Sequence, residues 1–119
     1  MTGSPLTPEA PPSRAEVVID LAAIRRNASR LTALAARSGA ATMAVVKADG
    51  YGHGAVDVAR AAVAGGASWL GVTSTPEAMR LRDAGLTAPI LSWLNMPGED
   101  FSTAIRSDVD LSVASPAEL

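Results

Sequence analysis

Short apolar runs alternate with amphipathic stretches along the chain. The apolar runs occupy residues 15–20, 42–46, 69–73, 89–94 and 108–113. Their length and their content of branched aliphatic residues are typical of buried β-strands. Between the runs, apolar residues recur at spacings of three and four, which is typical of helices with one buried face. The pattern therefore predicts a chain of alternating strands and helices.

The predicted helices begin and end at recognisable capping residues. They cover 20–37, 55–64, 74 to about 85 and, more weakly, 97–106, with a further helix start at 115–118. The helix that begins near residue 74 has two possible N-terminal caps. Thr75 is one candidate cap, with Pro76 at the first helical position. A capping box between Ser74 and Glu77 is the other.

The order of these elements predicts the architecture. The predicted strand ends fall near Lys47, Thr73, Trp93 and Val113, at spacings of 26, 20 and 20 residues. Repeated βα units predict a parallel sheet with right-handed crossovers. A doubly wound sheet and a (β/α)8 barrel both fit, and both place the site at the carboxyl ends of the strands. Four units are half of the roughly eight in a barrel, so we expect an incomplete domain.

Composition narrows the class of protein. Residues 1–14, MTGSPLTPEAPPSR, hold half of the eight prolines and predict a disordered tail, which leaves 15–119 as the folded part. The net charge of -2 without a basic stripe speaks against nucleic acid and membrane surfaces as partners. No signal peptide and no apolar run of about 18 residues is present, and the lack of cysteine excludes thiolate metal sites. We expect a cytoplasmic protein with no metal.

Reactive side chains concentrate in VVKADGYGHG, residues 45–54. This segment holds the chain's only lysine, Lys47, its only tyrosine, Tyr51, and its only histidine, His53. Lys47 follows a buried strand, and it is the one side chain able to act as an amine nucleophile, because arginines stay protonated. Taken singly, each of the three is more often a packing or surface residue. Their grouping at a strand end favours a function.

The glycines of this segment add a second property. Gly50, Gly52 and Gly54 allow positive φ and the close approach of a ligand, and the loop opens a helix whose N-terminus attracts anions. The spacing matches neither the dinucleotide fingerprint nor the Walker loop. An amine nucleophile, a phenol and an anion site suit a carbonyl ligand that carries phosphate. Pyridoxal phosphate is such a ligand.

The segment AVVKADGYGHG, residues 44–54, closely resembles the cofactor-lysine motif of bacterial alanine racemases. EVVIDLAAIRRN, residues 16–27, resembles the opening strand and helix of that family. TPEAMRLRDAGLTAPILSWL, residues 75–94, resembles its second and third βα units. The resemblance extends over nearly all of 16–119. It implies an α/β fold that is the N-terminal part of a (β/α)8 TIM barrel, which in the family precedes a β-rich domain.

The resemblance also implies the cofactor, pyridoxal 5'-phosphate, and the residues that serve it. Lys47 would hold the cofactor as a Schiff base and exchange a proton on one face of the substrate α-carbon. Tyr51 would direct its hydroxyl at the cofactor phosphate. Trp93 would pack beside the cofactor, with a core tryptophan as an equal alternative. His53 is expected to shape the loop and Asp49 to cap the following turn, without a catalytic role.

The implied activity is the interconversion of L-alanine and D-alanine for peptidoglycan by a homodimer. The family's second proton-transfer group is a tyrosine of the second domain, and Tyr51, the only tyrosine here, already has the phosphate-side role. We therefore expect activity from a full-length parent and not from these 119 residues alone. The alternatives are a related racemase of serine or of broad specificity, an amino-acid decarboxylase, a single-domain cofactor protein and an inactive truncated module.

Overall fold

The computed structural model describes residues 8–12 and 14–119. Its elements are α1 (Leu21–Ala36), β1 (Met43–Val45), α2 (Lys47–Tyr51), α3 (Ala55–Ala64), β2 (Trp69–Val72), α4 (Thr75–Asp83), β3 (Ile90–Ser92), α5 (Ser102–Arg106), β4 (Val109–Leu111) and a final 3-10 turn (Pro116–Glu118). Of the predicted disordered tail, residues 1–7 and 13 lie outside the described residues, so that expectation stays a prediction. Within the described ranges, no helix is both long and apolar enough to cross a bilayer.

The four strands form one parallel sheet in the order β1-β2-β3-β4. Each strand therefore pairs with the next strand in sequence, as repeated βα units predict. In the register of the sheet, Val45 lies opposite Gly71, and Gly71 lies opposite Leu91. Because all strands run the same way, the segments that follow them leave the sheet along a single edge. Lys47 leaves the sheet at that edge, one residue after Val46.

One face of the sheet forms the core together with the helices. Leu70, Val72 and Ile90 point to this face and are fully buried, as are Ala59 of α3 and Leu81 of α4. Each large aliphatic side chain buried in this way stabilises the fold by roughly 1.5–3 kcal/mol. The core is therefore aliphatic, as the low aromatic content of the sequence indicates.

The other face of the sheet carries the alternate residues of the same strands. Met43, Trp69 and Leu91 are half-buried there, and Asp110 is exposed. Among the described residues, the helix side chains of the buried core cluster pack with the first face, and the cluster includes none of these open-side residues. We call this second face the open face of the sheet.

The predicted strand at residues 15–20 is wrong. This segment has no helix or strand conformation, and the sheet begins with β1. A strand is stabilised by pairing with a neighbour, and the described sheet offers this segment none. Two of its apolar side chains consequently face solvent, since Val17 is 88% exposed and Val18 is 74% exposed, while Ile19 is half-buried. Asp20 nevertheless caps α1 as predicted, since its Oδ1 accepts a hydrogen bond from the Ala23 N–H at 2.9 Å.

The other helix boundaries agree with the capping signals, with two differences. Ser74 and not Thr75 is the cap of α4, paired with Glu77 as in a capping box: Ser74 Oγ accepts from the Glu77 N–H, and the Glu77 carboxylate returns to the Ser74 hydroxyl and the Thr73 N–H rather than to the Ser74 N–H. The weak helix expected at 97–106 forms only as α5, from Ser102. The helix start at 115–118 forms one 3-10 turn, and Ser115 makes no side-chain capping bond there.

Candidate active site

Lys47 lies at the carboxyl end of β1, directly after a buried valine. Val46, just before it, is 1% exposed, and its N–H donates to the Gly71 carbonyl at 2.9 Å. The backbone that carries Lys47 is therefore anchored to both the core and β2. The lysine side chain itself is half-buried. A rigid strand end with a partly sheltered amine is what a positioned nucleophile needs.

After Lys47 the backbone turns with the opposite hand from an ordinary helix. Ala48, Asp49 and Gly50 have φ of 52°, 55° and 63° with ψ of 46°, 43° and 36°, and Tyr51 has φ of 55°. We call Lys47–Tyr51 the lysine turn. The left-handed conformation costs roughly 1–2 kcal/mol for each residue that is not glycine. Such strain persists only where surrounding contacts enforce it, and it clusters at functional sites.

Backbone hydrogen bonds close the lysine turn. The Gly50 N–H donates to the Val46 carbonyl at 2.9 Å, and the Gly52 N–H donates to the Ala48 carbonyl at 3.0 Å. Gly50 is buried, and a Cβ there would lie 3.3 Å from Val58 Cγ2. Glycine at this position thus meets both a positive φ and a close neighbour.

Asp49 connects the lysine turn to α3. Its Oδ1 accepts a hydrogen bond from the Ala55 N–H at 3.0 Å, which confirms that Asp49 caps the following turn. The same carboxylate bears on the hypothesis that this helix start binds phosphate. The Ala55 donor is already used, and a negative charge lies where an anion would approach. Phosphate binding at the N-terminus of α3 is therefore disfavoured in this conformation.

Glu77 connects the lysine turn to α4. Its Oε2 accepts a hydrogen bond from the Ala48 N–H at 2.7 Å. Its Oε1 accepts from the Thr73 N–H at 3.2 Å and from the Ser74 hydroxyl at 2.9 Å. Burial raises the pKa of Glu77, but the hydrogen bonds from Ser74, Ala48 and Thr73 outweigh it and hold that pKa below its usual value. The sequence offers the capping box as one of two starts for α4, whereas the bond to Ala48 depends on β1 and β2 being neighbours in the sheet.

Tyr51 and His53 lie on the outer side of the turn. The Lys47 Nζ lies over the Tyr51 ring, 4.8 Å from its centroid. The ring is part of a side chain that is 61% exposed, so this cation–π contact contributes only about 0.5–1 kcal/mol. His53 Nδ1 lies 3.1 Å from the Tyr51 carbonyl. The structure thus places the amine and the phenol together and leaves His53 in a contact with the loop backbone.

Trp93 follows β3 and lies two strands from Lys47. Its backbone N–H donates to the Val72 carbonyl at 3.1 Å. Its half-buried ring extends over Gly71 on the open face. A Cβ at Gly71 would lie 2.7 Å from Trp93 Cζ3 and 2.8 Å from Met43 Sδ. Trp93 is not a member of the buried core cluster. Its ring lies on the open face, across β2 in the direction of β1.

Replacing Gly71 by alanine should displace the Trp93 ring. The added methyl group has no room between the ring and Met43, so the ring must move, at a cost of about 1–3 kcal/mol. We expect a shifted Trp93 emission maximum in the Trp69→Phe background, where Trp93 is the remaining tryptophan. Gly85→Ala is the control: its φ of 87° strains any side chain there, but a Cβ meets nothing within 4 Å, so this variant should lose stability without moving the Trp93 ring. An unchanged Trp93 spectrum in Gly71→Ala would contradict this packing.

These features define the class of protein: a parallel βα array that presents a strained, lysine-bearing turn at the carboxyl end of its first strand. A family model described as "Alanine racemase, N-terminal domain" matches residues 19–119. The chain belongs to this family. Its four βα units are accordingly part of the (β/α)8 barrel of that domain.

Curated relatives share about half of the residues of this chain. An alanine racemase of Mycolicibacterium smegmatis is 53% identical over 118 residues, which are 99% of this chain and 30% of that protein. An alanine racemase of Frankia casuarinae is 59% identical over 103 residues, which are 86% of this chain and 26% of that protein. The chain therefore spans about a third or less of the length of these relatives.

Solved structures agree with the fold. The alanine racemase from Streptomyces coelicolor superposes with a TM-score of 0.78 at 48% identity, over 84% of this chain and 27% of that one. The alanine racemase from the D-cycloserine producer Streptomyces lavendulae gives a TM-score of 0.80, also at 48% identity, over 84% of this chain and 26% of that one. The described fold therefore matches about a quarter of each of these chains.

Proposed function

We propose that this chain supplies the lysine half of a pyridoxal-phosphate-dependent alanine racemase site, with Lys47 as the catalytic residue. The observation that carries the proposal is the position of Lys47. The chain's only lysine is half-buried at a strand end and is followed by a strained turn. Membership of the alanine racemase family supports the reaction class. The substrate is then alanine, interconverted between its L and D forms.

The residues present fit the cofactor. Lys47 offers an amine to hold its aldehyde group, and Tyr51, whose ring lies 4.8 Å from that amine, offers a hydroxyl for its phosphate. The open face provides an apolar surface with the ring of Trp93, against which a flat heterocycle can pack. When bound, pyridoxal phosphate supplies an electron sink that makes the substrate α-proton acidic enough to transfer.

The task of Lys47 in the reaction is to carry a proton. Its Nζ would take the α-proton from one face of the substrate and return a proton on the same face in the reverse direction. The lysine turn would keep Nζ at a fixed height above the sheet edge. The Tyr51 ring, in contact with Nζ, would limit its other positions. Inversion needs a second proton-transfer group on the opposite face, which we assign to the part of the relatives that this chain does not span.

The wider role follows from the same assignment. We propose that the complete protein is a cytoplasmic homodimer and that it makes D-alanine for peptidoglycan. The family resemblance of 19–119 supports this role. The 119 residues alone are expected to hold the cofactor without racemising alanine.

Lysine-specific cofactor trapping tests the proposal. The purified chain is incubated with pyridoxal phosphate, reduced with borohydride, and digested for mass spectrometry. Lys47 and the N-terminal amine are the two amines of the chain, so the products are readily separated. We expect saturable labelling of Lys47 at cofactor concentrations that leave the N-terminal amine largely free.

The control variant is Lys47→Arg, which keeps the positive charge but offers no amine nucleophile. It should lose the saturable product and retain the slow labelling of the N-terminal amine. Equal labelling of both amines in the unmodified chain, or none at Lys47, would contradict a cofactor site at this strand end.

A further inference from the structure

Glu77 is the one described side chain that hydrogen-bonds the backbone directly after Lys47. The bond joins two different βα units, because Ala48 follows β1 and Glu77 lies in the first turn of α4, after β2. At 2.7 Å it is the shortest hydrogen bond to the lysine turn. Glu77 itself has no part in the proton transfer that we propose for Lys47.

We propose that Glu77 is a positioning residue for Lys47: its Oε2 holds the Ala48 N–H and thereby keeps the lysine turn left-handed. The inference rests on the proposed function of Lys47. Residues in the left-handed region are held there only by contacts that outweigh the strain. Ala48 is the first left-handed residue of the turn, so the bond acts where the backbone changes hand.

The two oxygens of the Glu77 carboxylate have separate tasks. Oε1 accepts from the Thr73 N–H and the Ser74 hydroxyl and so fixes the Ser74 side chain that caps α4, while Oε2 accepts from the Ala48 N–H. A capping box needs only one acceptor oxygen. The second oxygen is therefore free to bind the lysine turn without loss of the cap. This division makes the two tasks separable by mutation.

The other contact between α4 and the lysine turn is weaker. Arg80 Nη1 lies 3.7 Å from Asp49 Oδ1, and the two side chains are 65% and 56% exposed. Exposed ion pairs of this kind contribute little to stability, because solvent screens the two charges. A hydrogen bond to a charged acceptor contributes more, and Glu77 is half-buried. The bond from Ala48 to Glu77 is thus the dominant link.

The protonation state of Glu77 suits this task. Burial opposes ionisation, but the hydrogen bonds from Ser74, Ala48 and Thr73 lower the pKa below its ordinary value. A lowered carboxyl pKa means that the stabilisation is present above the pKa of the unfolded chain. It is lost as the pH falls through the folded value. At neutral pH the carboxylate is ionised and both oxygens accept.

Glu77→Gln isolates the link to the lysine turn. The amide oxygen can take the place of Oε1 and keep the cap of α4, which leaves the NH2 group facing the Ala48 N–H, donor against donor. Glu99→Gln is the matched control, because Glu99 also uses both oxygens near the start of α4, on Thr75 and Met96, without touching the lysine turn.

Hydrogen exchange and lysine chemistry together test the proposal on the 119-residue chain. In Glu77→Gln we expect Ala48 amide exchange to rise about tenfold, and Lys47 labelling by pyridoxal phosphate to slow about tenfold. Acetylation of Lys47 by acetic anhydride, relative to the N-terminal amine, should rise as the turn loosens. Core amides such as that of Leu70, and all Glu99→Gln values, should stay unchanged.

The outcomes separate this inference from the proposed function. Absence of selective Lys47 labelling in the unmodified chain contradicts the proposed function, while Ala48 exchange and the acetylation ratio still test Glu77. Unchanged Ala48 exchange in Glu77→Gln overturns the inference. So does raised exchange with Lys47 reactivity unaltered towards either reagent. In the unmodified chain, the chemical shift of the Ala48 amide should also change as Glu77 is protonated, at a pH below the ordinary carboxyl pKa. An Ala48 chemical shift that does not change with the protonation of Glu77 overturns the inference as well.

Discussion

Lys47→Arg should lower alanine racemisation by on the order of 10³-fold or more in a chimera that contains residues 19–119 of this chain. These residues replace the matching segment of the Mycolicibacterium smegmatis relative, which is 53% identical over 118 residues and provides the part of the protein that this chain does not span. Arginine keeps the charge, but it offers neither the amine nucleophile nor a proton that leaves near neutral pH. The measurement is the loss of optical rotation from L-alanine and from D-alanine.

The loss should appear in both directions, because Lys47 would act as the base in one direction and as the acid in the other. Arg106→Lys is the control for an exchange of cations, since Arg106 is exposed on α5 and is not part of the proposed site. Its chimera should retain the activity of the parent chimera. A Lys47→Arg chimera that retains more than about a tenth of that activity would contradict the catalytic assignment.

Arg82→Ala should lower the free energy of unfolding by about 2–4 kcal/mol. The Arg82 guanidinium donates to four carbonyls: to Leu86 and Ala88 at 2.8 and 2.7 Å, and to Ser107 and Asp108 at 2.8 and 2.9 Å. These carbonyls belong to the loops that enter β3 and β4. Alanine would leave them to be satisfied by solvent and would free both loops. Urea unfolding, with midpoint and slope compared, gives the change.

Arg80→Ala is the matched control for this prediction. Arg80 lies on the same helix, but its contact with Asp49 is long and exposed, so its removal should cost about 0–1 kcal/mol. Arg82→Lys should fall between the two, because an ammonium group cannot match the fork of a guanidinium. Equal losses in Arg82→Ala and Arg80→Ala would show that the four carbonyl bonds add nothing to stability.

The sequence predicts the βα frame well because its boundaries depend on local chemistry. Asp20 and Ser74 each cap a helix by accepting a hydrogen bond from the amide three residues further along the chain. Apolar runs of the right length became β1 to β4, since each finds a neighbour in the sheet. Residues 15–20 have the same local pattern and form no strand, because pairing is a property of the whole sheet and not of the segment.

The candidate site is less accessible to sequence reasoning. The glycines around Tyr51 indicate positive φ, but Ala48 is also left-handed, which the preferences of alanine do not predict. The bond from Ala48 to Glu77 depends on β1 and β2 being neighbours. One signal does point to it: Glu77 is a capping-box residue of the helix that follows the strand next to Lys47. Such a residue has a second oxygen to offer across the sheet edge.

The strand order has a consequence for how the chain folds. Because β1 to β4 pair in sequence order, each pairing joins segments a short distance apart, and the sheet can grow unit by unit as the chain leaves the ribosome. The lysine turn depends on the same growth. Ala48 finds its partner Glu77 29 residues later, so the turn has no such support until β2 and the start of α4 have been synthesised. Lys47 is thus made early, and its support from Glu77 comes only after the second unit has been added.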